Sequence, residues 1–116
     1  MEPVVMVQRM YSAANERDFD AVEDIFAPDF YSHPLRQSGV EPIRSAWRTI
    51  AERFPRLRVT PHRMIAAGDR VAVWSAIENV PGEPEMMELI RVDKGRIVEL
   101  WGLSNLSWRS SPSDQP

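Results

Sequence analysis

At Pro55 the hydrophobic pattern of this chain changes period, and that change limits the folds open to it. Before Pro55, apolar residues recur at the three- and four-residue spacing of helices; after it they alternate, as on half-buried strands. The clearest helical stripe is Ile43, Ala46, Trp47, Ile50, Ala51 and Phe54. Ser38 and Glu41 stand before it at the spacing of a capping box, and Pro55 stops it. Upstream, Val4, Val7, Met10, Tyr11 and Ala14 predict a helix over about residues 3–16, with Pro3 in the first turn, where an N–H would have no partner anyway. A shorter helix is expected over about 19–26, capped by Asp18 and ended at Ala27-Pro28-Asp29. Residues 30–33 read as a short extended piece closed by Pro34.

Beyond Pro55 four strands are expected, at about 56–67, 71–80, 86–92 and 97–108. Pro61 implies an edge position or a bulge in the first of them. Gly68-Asp69, Pro81-Gly82-Glu83-Pro84 and Asp93-Lys94-Gly95 supply the turns, with Gly95 free to take positive φ. Such a sheet must bury one face, and the helices are the available cover. The expected fold is α+β: three helices on a curved four-stranded antiparallel sheet, with room for an extra short strand near 30–32. A twisted sheet curled over helices leaves a cone-shaped hollow. Residues 1–109 are expected to form one domain, and 110–116, which lack any apolar residue, a disordered tail.

Composition excludes several functions. A chain of 116 residues suits a single core. Net charge is −3 with no basic stripe, so nucleic acid is not an expected partner. The apolar runs are too short for a membrane span, and Glu2-Pro3 does not open a signal peptide. The absence of cysteine rules out disulfides and thiol chemistry, and fits a cytoplasmic protein. His33 and His62 are the two imidazoles, and no His/Asp/Glu cluster has metal-site spacing, so no metal is expected. His62, between Pro61 and Arg63, reads as a surface residue.

A hairpin centred near Gly95 would set Glu88 opposite Gly102, Ile90 opposite Leu100 and Val92 opposite Val98, all on one face, with Arg91, Glu99 and Trp101 on the other. Turned into the hollow, a carboxylate among Ile90, Leu100 and Val98 is costly to ionise, so its pKa rises. That tunes a general acid or base towards neutral pH. Turned outward, Glu88 is a solvated strand-end residue like Glu83 and Glu85. Trp47 serves as core packing or as pocket wall. Trp74 floors the cavity if the turn at Gly82 pairs Ala76 with Glu88. Trp101 suits an interface, where aromatics are enriched, and Trp108 the pocket or the interface. Arg91 with Glu99 reads as a solvated ion pair of little weight.

Four segments carry a family resemblance: Tyr11-Ser12-Ala13-Ala14-Asn15-Glu16-Arg17-Asp18, Phe26-Ala27-Pro28-Asp29-Phe30-Tyr31-Ser32-His33-Pro34, Ala67-Gly68-Asp69-Arg70-Val71-Ala72-Val73 and Gly95-Arg96-Ile97-Val98-Glu99-Leu100-Trp101. In order and spacing they resemble the nuclear transport factor 2-like superfamily and, within it, the SnoaL-like polyketide cyclases, over about residues 5–108. The resemblance implies a homodimer through the outer sheet face, where Trp101 lies. It also implies a hydrophobic pocket for a small apolar or ring-shaped ligand, with no metal or organic cofactor. Cyclases of this group close a carbon–carbon bond by an aldol step. An acid directly after the tryptophan of the last strand serves them, aided by a histidine on the preceding strand; here those positions hold Gly102 and Glu88.

The function so implied is cofactor-independent acid/base catalysis, of cyclase or isomerase type, on a carbonyl-containing ring or polyketide-like substrate. Glu88 and His33 are the catalytic candidates, and Trp47, Trp74, Tyr11, Ile90, Leu100 and Gly102 the ligand-binding ones. Gly102 either opens space, marks a bulge, or records a lost acid. The last case makes the chain a non-catalytic binder or carrier of an apolar metabolite. A filled hollow would instead indicate an interaction module. For His33 the alternative is a loop histidine bonded to backbone.

Overall fold

Pro3 opens helix α1, Pro3–Asn15, in the computed structural model of the chain, which describes residues 2–106. Its apolar stripe buries Met6, Val7, Met10 and Tyr11, and full burial of such side chains stabilises by about 1.5–3 kcal/mol each. The Asn15 amide ends the helix by pairing both ways with the backbone of Val59: Nδ2 donates to the carbonyl and Oδ1 accepts from the N–H, each at 2.8 Å. A single 3₁₀ turn, Phe19–Ala21, leads into α2, Val22–Ile25. Then come strands β1, Phe26–Ser32, and β2, Gln37–Ser38, before α3, Val40–Arg53. Strands β3, Arg58–Ala67, β4, Arg70–Glu78, β5, Glu85–Asp93, and β6, Arg96–Ser104, follow among the described residues. No helix among the described residues is long and apolar enough to cross a membrane. The expectations for Trp108 and for the tail at 110–116 lie outside the described residues.

Among the described residues the sheet has six strands in the order β2-β1-β6-β5-β4-β3, not four, and it is mixed because β1 runs parallel to β6. Phe26 and Phe30 explain the difference. Both are wholly buried, so the segment after α2 is drawn into the sheet although Pro28 lacks an N–H for the ladder. The β1–β6 register shifts between Phe26 and Tyr31, which accommodates Pro28. The second helix is correspondingly shorter than its periodicity suggests and ends at Ile25. The capping box before α3 also does not form. Gly39, with φ of +98°, is the N-cap, and its N–H bonds Phe30 O at 2.7 Å. Glu41 instead pairs with Arg44, a buried guanidinium that also reaches Glu23 at 3.1 Å and Phe19 O at 3.2 Å.

Pro61 sits as its chemistry demands, on the edge strand β3 and at a register shift. The β5–β6 turn places Lys94 at φ +52° and Gly95 at φ +77°, the positive values that suit a right-twisted two-residue hairpin. Asp93 pairs with Arg96 and Val92 with Ile97, so Val92 does not face Val98. A bulge between Arg91 and Val92 then leaves Val98 unpaired and advances β6 by one residue. This extra residue decides the site. Without it, the two-residue turn would set Glu88 opposite Trp101; with it, Glu88 faces Gly102 and Ile90 faces Leu100.

Candidate functional site

Three elements meet around one hollow. Helix α1 contributes Met10 and Tyr11, α3 contributes Ile43, Trp47 and Ile50, and the inner sheet face contributes Met86, Glu88, Leu100 and Gly102. The cavity measures about 280 Å³ and its walls are predominantly apolar. Trp47 stands edge-on to the Phe26 ring, with centroids 5.9 Å apart, and forms part of the wall. The hollow is open, which disfavours the filled interior of an interaction module.

Glu88 is the carboxylate in this wall. Burial pushes its pKa up to about 7, against the opposing pull of a hydrogen bond from Tyr11. That bond runs from the Tyr11 hydroxyl to Oε1 at 2.5 Å. Burial, the negative charge of Glu88 and the same hydrogen bond hold the phenol pKa far above its ordinary value. Tyr11 therefore remains a proton-bearing donor. Ser75 Oγ, fully buried on β4, lies close enough to favour the ionised phenol slightly, yet it makes no hydrogen bond of normal geometry among the described residues. Glu88 Oε2 has no donor among the described residues and remains free to exchange a proton.

Gly102 provides the space that Glu88 fills. Its φ is not in the left-handed region, so its backbone does not call for glycine. A Cβ there would lie 3.2 Å from Glu88 Cγ, 3.4 Å from Met87 O and 3.6 Å from Glu88 Oε2. A side chain on β6 and the carboxylate from β5 thus compete for one place. Of the polar groups nearby, the Asn15 amide pairs with Val59, and Ser32 Oγ accepts from the Leu35 N–H at 3.2 Å.

Of the residues singled out in the sequence, Tyr11, Trp47, Glu88, Leu100 and Gly102 line this hollow. Ile90 is fully buried in the core and does not reach the cavity surface. His33 and Trp74 are placed elsewhere, which corrects their expected positions. His33 lies on the outer face, where Nε2 meets Glu99 Oε2 at 2.7 Å and the ring stacks on Trp101 at 4.6 Å. The reason is that its N–H extends the parallel β1–β6 pairing by bonding Leu100 O. The His33 bond and Arg91, whose Nε donates to Glu99 Oε1 at 3.1 Å, hold the Glu99 carboxyl below its ordinary pKa. Trp74 also faces outward, against His62, because Ala76 pairs with Glu85 rather than Glu88. That slip of three residues, an odd number, exchanges the faces. Ser75 was missed, although a lone serine at an inward position between Val73 and Ile77 marks it.

A family profile described as a SnoaL-like domain matches residues 7–100. Among solved structures, the chain is similar to IdmH of Streptomyces antibioticus, a candidate polyketide cyclase, at 24% identity and a TM-score of 0.79, covering 90% of this chain and 93% of that one. A candidate polyketide cyclase from Bacillus cereus shares 19% identity at a TM-score of 0.81, over 89% of this chain and 74% of that one. Another from Sinorhizobium meliloti shares 23% at 0.77, over 89% and 100%. At these identities the likeness concerns the fold. No curated protein sequence matches the chain.

Proposed function

The chain belongs to the SnoaL-like domain family, and from that premise we propose that it is a small-molecule pocket protein with cofactor-independent acid/base activity. The reaction is of cyclase or isomerase type, on a carbonyl-containing ring or polyketide-like substrate. The observation that carries this reading is the half-buried Glu88 carboxyl in the pocket wall, with a pKa near 7 and one oxygen held by Tyr11. The ionised Glu88 removes a proton from carbon next to a carbonyl through Oε2. The resulting enolate carbon attacks a second carbonyl, or is reprotonated at another position, and Glu88 returns the proton. Tyr11 orients the base and limits its strength. Trp47 and Leu100 hold the apolar body of the substrate.

A ring ketone such as tetralone in deuterated buffer tests this without knowledge of the natural substrate. Proton NMR should show enzyme-dependent loss of the α-protons. The rate should climb as pH rises through about 7 and then level, because the active form is the ionised carboxylate. Binding of the ketone without exchange above the buffer rate would support the second reading, a carrier of an apolar metabolite. That reading draws on Gly102 at the position where cyclases of this type place an acid.

The outer face supports a homodimer as part of the same proposal. Trp74, Met87 and Leu103 form one exposed row across β4, β5 and β6, and Leu89 with Trp101 form part of the next. A contiguous apolar surface of this kind marks an interaction site.

A further inference from the structure

Glu88 and Arg17 are the charged side chains that line the pocket among the described residues. They stand at different levels. Glu88 meets α1 at Tyr11, whereas Arg17 lies just past the helix end at Asn15. At a rise of 1.5 Å per residue, the helical step from Tyr11 to Asn15 is about 6 Å, and Arg17 lies beyond it.

Arg17 adopts φ of +58°. Glycine takes that conformation freely, and it costs a residue with a side chain about 1 kcal/mol. The side chain is also pinned. Nη1 donates to Asn15 O and Nη2 to Pro55 O, each at 2.9 Å. These carbonyls fix the guanidinium without neutralising it. Like several other arginines, Arg17 has no carboxylate within 4.0 Å among the described residues; what sets it apart is its place in the pocket lining. A full positive charge is thus held at the solvent-facing rim of an apolar hollow, with several N–H groups still unspent.

We infer that Arg17 is a substrate-binding residue that grips a carboxylate, so that the pocket takes apolar, ring-bodied molecules with one anionic end at the rim and their reacting carbon inward at Glu88. This rests on the pocket reading above and narrows its substrate class. The planar guanidinium fork matches a carboxylate in two parallel hydrogen bonds, and among the described residues no other cationic side chain lines the pocket.

Calorimetric titration with naphthoate and with naphthamide, which differ in charge but little in shape, tests it. At about pH 6 naphthoate is ionised while Glu88 is mostly protonated, so the two negative groups do not repel. Naphthoate should bind about tenfold or more tightly than naphthamide. Arg17→Gln should bring that ratio to about one, chiefly by weakening naphthoate, and Arg17→Lys should keep part of the preference. Equal binding of both probes to the unmodified protein overturns the inference while leaving the pocket intact, and this arm needs no variant to fold. A preference that survives Arg17→Gln also overturns it. If neither probe binds, the pocket reading falls together with it.

Discussion

Glu88→Gln should make the protein more stable at pH 8 and nearly inactive. The sign follows from proton binding. A carboxyl whose folded pKa, about 7, lies above its ordinary 4.5 holds its proton more tightly in the folded state. Folding stability therefore falls as pH rises from about 4.5 to about 7, and the loss is complete above that window. It amounts to about 3 kcal/mol at most, at 1.36 kcal/mol per pKa unit. Gln carries no charge to desolvate and its amide oxygen still accepts the Tyr11 hydrogen bond. Denaturant melts should show wild type losing stability across that window while Glu88→Gln stays flat, the two curves meeting near pH 4. Proton exchange into the ring ketone should drop by about 10²–10⁴-fold, the usual contribution of a general base. A variant that is stabilised yet fully active would leave Glu88 desolvated but idle.

Trp101→Glu should convert a dimer into monomers. Trp101 stands beside Leu89 on the outer face and stacks on His33 with ring planes 12° apart. A carboxylate there would be desolvated among apolar side chains and would lie near Glu99. Loss of an aromatic anchor at the centre of an interface weakens association by roughly a hundredfold or more, about 3 kcal/mol. Because Trp101 also packs within its own chain, Met87→Glu on the neighbouring exposed strand provides an independent check. Sedimentation of both variants should give the monomer mass with unchanged circular dichroism. A monomeric wild type, or dimers that survive both substitutions, would exclude this face as the interface.

Local signals were legible where a short turn or a single residue type set them. Asp93-Lys94-Gly95 announced the hairpin, Pro61 the edge strand, and the helical stripe of α3 its buried face. The register of Glu88 with Gly102 was also read correctly, yet it depends on the bulge at Val98, whose composition does not distinguish it from an ordinary strand residue. The longer turn around Gly82 leaves strand offset open, and an odd slip sent Trp74 to the other face. Contacts between distant segments were the least legible. Tyr11 and Glu88 are 77 positions apart, and only the packing of α1 across the sheet brings phenol to carboxylate. His33 was misplaced for a related reason: the parallel pairing of β1 with β6 joins segments that no turn connects.

Carbon-13 NMR titration of the glutamate side-chain carboxyls, with Glu88 assigned by its absence in Glu88→Gln, addresses the pocket acid most directly. A resonance titrating with a midpoint near 7 is the expected result. A midpoint near 4.5, the value of a water-exposed glutamate, would contradict it.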